Sequence, residues 1–147
     1  VTTPVVSVSD VKQLVRNVLI RESSITSLVG DRIRTAHIVD PDRTPTSPFL
    51  VIERPRLGRS GYEGGFQRIP LDVYVYSTES QAEADKIYDV VYQFLQAKRL
   101  VDTTTSGGVR VITAAGYIRQ VGSPSDGWNE QIRAWFTIGR WISMTAG

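Results

Sequence analysis

The chain has 147 residues, 41% hydrophobic and 22% charged, which suits one domain with a real core and does not suit a disordered chain. Its formal net charge of +2 is too mild for a protein whose main work is coating nucleic acid, although Arg outnumbers Lys. It has no cysteine, which removes disulfides, thiolate catalysis and cysteine-ligated metals.

The opening VTTPVVSVSD has neither a basic n-region nor a long apolar run, so it does not read as a signal peptide. It lacks an initiator Met, which suggests processing or trimming. No apolar run approaches the roughly 20 residues that span a bilayer. Residues 1–8 read as an extended lead. A first helix is expected from near Ser7 or Ser9, with Val11, Leu14, Val15, Val18 and Leu19 on one face. SITSLVGDRI predicts a short helical turn stopped by Gly30, then a short extended piece around Ile33.

Pro41, Pro45 and Pro48 rule out helix and ladder strand and predict a surface loop. FLVIER, from Phe49 to Arg54, predicts a strand. RPRLGRSGYEGGFQR follows, rich in Arg and Gly and unable to hold a helix, since each glycine costs about 1 kcal/mol against alanine. FQRIPLDVYVYS alternates, with Leu71, Val73 and Val75 on one face and Asp72, Tyr74 and Tyr76 on the other. The two strands predict an antiparallel hairpin with an oversized tip.

The second main helix opens on the capping-box pattern Ser80-x-x-Glu83 and carries an apolar stripe of Ala84, Ile87, Val91, Phe94 and Leu95. Acidic residues at its start and Lys98 and Arg99 at its end suit the helix dipole. DTTTSGG reads as a turn-rich break. VRVITAAGYIRQV and NEQIRAWFTIGRWISM read as two longer strands joined by GSPSDG. In the last strand Ile132, Ala134, Phe136 and Ile138 face one way, and Gln131, Arg133, Trp135 and Thr137 the other.

The fold expected is a single α+β domain, residues 1–147: a four-stranded antiparallel sheet, two main helices on one face, and a long hairpin loop. Tyr74, Tyr76, Trp135 and Trp141 are the candidates for the sheet's bare outer face, an apolar surface of the kind that meets another protein.

No catalytic constellation is legible, so no enzyme activity is expected. The one histidine, His37, with Asp40 and Asp42 close behind, reads as a solvated loop residue, since a metal site needs more ligands on a rigid frame. No G-x-S-x-G elbow appears. Scattered carboxylates leave a catalytic pair open without pointing to one. The Arg/Gly stretch has no lysine for a P-loop and returns into a strand. GRSG, Gly58 to Gly61, matches a G-x-x-G clamp, but a KH loop joins two helices. Three readings of the stretch stay open. Arg54, Arg56, Arg59, Tyr62, Phe66 and Arg68 could form a protein interface, Arg56, Arg59 and Arg68 could grip phosphates, or the stretch could stay solvated.

The order of these segments resembles that of the tail terminator proteins of long-tailed bacteriophages, also called tail completion or minor tail proteins. The resemblance runs through SITSLVGDRI, the proline-rich link, PFLVIE, the glycine-containing loop, LDVYVYS, SQAEADKIYDVVYQFL and the paired final strands. It covers most of the chain and has no invariant polar motif. It implies a structural subunit, typically in a sixfold ring, at the head-proximal end of the tail tube. There the ring ends tube polymerisation and offers the surface that joins the head connector or stopper. Its partners would be copies of itself, the tail tube protein and the connector. Genome DNA would pass through the lumen without specific binding, and no cofactor, metal or membrane is implied. The location implied is the neck of the virion, after assembly in the host cytoplasm. A head-completion or stopper ring protein and a nucleic-acid-binding module are the alternatives. The Arg/Gly stretch and the proline-rich link are longer than the family pattern.

Overall fold

The computed structural model describes the backbone of residues 2–4, 8–37, 45–55, 61–63, 66–96, 98–106 and 109–146, and the side chains of 11–37, 45–55, 68–96, 98–101 and 117–144. In chain order the elements are β1 (Thr2–Pro4), α1 (Val8–Ile20), α2 (Ser23–Val29), β2 (Ile33–Arg34), β3 (Phe49–Glu53), β4 (Gly61–Glu63), β5 (Phe66–Ser77), α3 (Gln81–Leu95), β6 (Lys98–Ser106), β7 (Val109–Asn129) and β8 (Ala134–Ala146). The class is α+β. No described helix is long and apolar enough to cross a membrane.

The four expected strands are present as β3, β5, β7 and β8. They form an antiparallel ladder in the order β7-β8-β5-β3. The sheet is larger than expected. β1 joins β7 and β2 joins β3 in parallel, while β4 pairs with β5 and β6 with β7. The hairpin tip is also different. Gly61 lies opposite Arg68 and Glu63 opposite Phe66, so part of the Arg/Gly stretch is a short strand. Two segments expected to break the chain are strands. Asp102 to Ser106 pair with β7 in β6, because threonine fits a pleated strand. GSPSDG lies within β7: Gly122 to Pro124 form an irregularity between Val121 and Ser125, and Ser125 to Gly127 pair with β8. The reversal comes later, at Glu130 to Arg133, where Arg133 has φ +58° and its N–H donates to the Asn129 carbonyl at 2.7 Å.

The helices cover one face of the sheet. Val11, Leu14, Val15, Val18 and Leu19 of α1 join Ala84, Ile87, Val91 and Leu95 of α3 in one core. They pack on Leu50, Ile52, Leu71, Val73, Val75 and Trp141. Local chemistry sets the helix ends. Gly30 closes α2 at φ +61°, a conformation that favours glycine, with its N–H on Thr26 O at 2.8 Å. Ser80 Oγ accepts the Glu83 N–H at 3.1 Å, which is half of the expected capping box. The other half is rerouted: the Glu83 carboxylate accepts from buried Ser77 Oγ at 2.9 Å, which also takes the Ser80 N–H.

Candidate interaction surface

The second face of the sheet carries its own apolar cluster. Phe49 and Val51 of β3, Tyr76 of β5 and Ala134 of β8 are buried there with Ile132, and Tyr74 and Phe136 pack against them. Strand alternation puts Tyr74 and Tyr76 on the side away from the helices. The register Tyr76↔Phe136 and Tyr74↔Ile138 brings the even residues of β8 beside them. Tyr74 and Tyr76 stack at 5.7 Å between centroids, and Tyr76 stacks on Phe49 at 4.9 Å. Arg34 sits 5.0 Å over the Phe49 ring.

His37 covers this cluster. Its ring lies edge-on to Tyr74 at 4.7 Å, Nε2 is 2.7 Å from the Tyr76 hydroxyl, and Nδ1 is 3.3 Å from the Glu53 carboxylate. Its backbone N–H also donates to Glu53, at 3.1 Å. The reading of His37 as a solvated loop residue is therefore corrected: it is a latch on the aromatic face. Arg32 Nε donates to Pro48 O at 2.8 Å and Arg16 Nε to Ile33 O at 2.7 Å, which ties the chain just before the latch to the residue preceding β3 and to α1. Beside His37 lies a cleft of about 350 Å³ lined by Glu53, Arg54, Tyr74, Asn129 and Gln131 among others.

Burial pushes the Tyr76 phenol well above its ordinary value, although Asn129 partly offsets this, so the hydroxyl stays protonated. Partial burial also works against the Glu53 carboxylate. The N–H groups of Arg54 and His37 and the Lys12 ammonium outweigh it, and the net pKa lies below the ordinary value. A carboxylate with a lowered folded pKa contributes stability above its unfolded pKa and loses it as pH falls through the folded value. Wild type should thus be more stable than Glu53→Gln near pH 7, with the gap closing towards about pH 3 in denaturant titrations. A gap of equal size at both values would show that Glu53 acts by packing alone. Asp72 behaves oppositely. Burial raises its pKa, and Arg140 at 3.3 Å only partly offsets that, so acidification relieves a cost there.

The sequence candidates separate into groups. Tyr74 and Tyr76 are on the outer face, but Tyr76 is fully buried under His37. Trp141 is not on that face. It is fully buried beneath α3, where its indole N–H donates to Tyr88 OH at 3.2 Å. Burial raises the Tyr88 phenol to about 12, a rise that the Trp141 indole N–H already offsets in part. Trp135 is on the helix side as well, beyond the start of α3 and edge-on to Trp128 at 4.7 Å. Arg54 is exposed next to Glu53, and Arg68 is half-buried on β5. Tyr62 and Phe66 lie on β4 and β5, their side chains outside the described residues, as are Arg56 and Arg59 altogether. Asp40 and Asp42 fall outside them too.

Sequence reasoning missed the exposed part of the outer face. Tyr117 is 63% and Val121 38% exposed on β7, and Arg119 lies between them. Arg140 is directly opposite Val121 on β8. The alternation of YIRQV was the available signal, but it does not say which end of the face stays open. Among the described residues no three His, Asp or Glu side chains gather as they would around a metal ion. No protein-family model matches the chain, and no curated protein matches it.

Proposed function

We propose that the chain is an assembly subunit of the tail terminator type: a copy in a ring, typically of six, at the head-proximal end of a phage tail tube. Its work is binding, with no bond made or broken. The tail tube protein and the connector are its partners, the virion neck is its place, and DNA crosses the lumen unread. The order of sequence segments supports this reading, and one structural observation carries it. Among the described residues, helices cover one face of the sheet, and the other is covered only in part, at its aromatic centre. A ring needs two different surfaces on each copy, so that each meets its neighbour head to tail. A subunit with a helical face and a half-open aromatic and basic face supplies two such surfaces.

The test is mass by light scattering, with and without purified tail tubes, followed by negative-stain imaging. Rings, free or at one end of each tube, are the expected result. Binding to the portal complex in place of tubes would move the chain to the stopper role. A monomer that ignores tubes and shifts only with DNA would overturn the assembly reading, and its affinity should then fall steeply with salt. Arg56→Ala with Arg59→Ala should weaken ring formation and leave the monomer's thermal transition in place. Unchanged rings in that variant would remove the Arg/Gly stretch from the assembly.

A further inference from the structure

The open end of the outer face is a compact patch. Tyr117, Arg119 and Val121 alternate outward along β7, and Arg140 faces Val121 across the ladder. Arg140 is engaged with Asp72. Arg119 has no carboxylate partner among the described residues. The patch thus combines an exposed ring, an aliphatic side chain and an exposed cation that an anion on another molecule would complement.

The opposite side of the sheet carries that anion. Just before α3 and along it, Glu79, Asp85 and Asp89 are exposed, against one exposed lysine, Lys86. Asp126 projects from β7 towards the same side, since it lies opposite Thr137, whose hydroxyl donates to Asp85 at 2.5 Å. Between α3 and this bulged part of β7 is a cleft of about 320 Å³ lined by Asp85, Asp89, Pro124 and Asp126 among others.

We propose that the Tyr117–Arg119–Val121 patch docks on the α3 face of a second copy of the chain, with Arg119 directed to the cleft between Asp85, Asp89 and Asp126. The two surfaces lie on opposite sides of one sheet, so they cannot meet within a chain. Joining them between chains is heterologous and repeats, which closes into a ring or extends as a filament. Arginine suits this place because its planar fork can engage two carboxylates, and an aromatic and an aliphatic neighbour supply apolar area around it. The inference rests on the ring reading and states which faces of the ring subunit meet.

The experiment uses the full chain alone, by sedimentation velocity across a concentration series at about 0.05 M and about 0.5 M salt. The variants are Arg119→Glu and Asp89→Arg, both at exposed positions, with circular dichroism to verify that each is folded. Wild type should self-associate, and more weakly at high salt. Each reversal alone should lower association about tenfold or more. An equal mixture of the two should recover it, because the acidic patch of one variant then meets the basic helix face of the other, and the remaining two faces are native. Wild type that stays monomeric throughout, folded variants that associate like wild type, or a mixture no better than its parts would each overturn the pairing. Rings on tail tubes that tolerate Arg119→Glu would leave the terminator reading standing and remove these faces from it.

Discussion

Gly139→Ala is expected to cost about 3 kcal/mol or more, a large share of the stability of a domain of this size. The reason is local. A Cβ at this position would lie 1.6 Å from Tyr88 Oη and 2.6 Å from its Cζ. Tyr88 is buried, and its hydroxyl donates to Gln120 Oε1 while accepting the Trp141 indole N–H. The ring cannot swing away without breaking both bonds and opening the space under α3. The methyl cannot retreat either, because Gly139 lies in the ladder opposite Val73. Overpacking and an unpaired indole therefore add. The measurement is denaturant unfolding of Gly139→Ala, Tyr88→Ala and the double variant. The double should be less destabilised than the sum of the singles, since removing Tyr88 clears the space. Strict additivity would mean that the glycine is needed for something other than the approach of Tyr88.

Elements governed by neighbours in sequence were legible. The stripe of α1, the Ser80 cap and stripe of α3, the Gly30 stop and the four long strands all follow from residues a few positions apart. Matters decided by distant partners were not. Which face Trp135 and Trp141 occupy depends on the register of β8 against β5 and β7, and the turn that leads into β8 lies at Glu130 to Arg133, not at GSPSDG. A shift of one residue moves every side chain of a strand to the other face, so two tryptophans at odd positions were grouped with two tyrosines at even ones. His37 was misread for the same reason: Tyr76 and Glu53 lie 39 and 16 positions away in the chain. The extended character of residues 1–8 and of the piece around Ile33 was legible, but their parallel pairings as β1 and β2 are non-local and have no signal in those short sequences. Of the candidate surface, the aromatic character was readable, but not its division into a covered half and an open half.

Tyr76→Ala should destabilise the isolated chain by about 3–5 kcal/mol, the range found when large aromatic side chains are removed from cores. A different outcome follows from each view of the outer face. Were Tyr76 an interface residue, its truncation would spare the monomer and lower only assembly. The structure instead makes it the centre of a second core, fully buried, stacked on Phe49 and Tyr74 and bonded to His37. Its loss opens a cavity and also releases the His37 latch, which removes the lid from Tyr74. Tyr76→Phe separates the two contributions: it keeps the stacking, gives up the hydroxyl, and should cost only about 1 kcal/mol. Thermal unfolding of both variants, each with and without His37→Ala, measures the coupling directly. In the phenylalanine background, His37→Ala should cost less than in wild type, by the value of the lost bond. An Ala variant with a wild-type transition and impaired assembly would return Tyr76 to the interface. It would also shift the boundary between core and contact surface from the open Tyr117 end of the sheet to its aromatic centre.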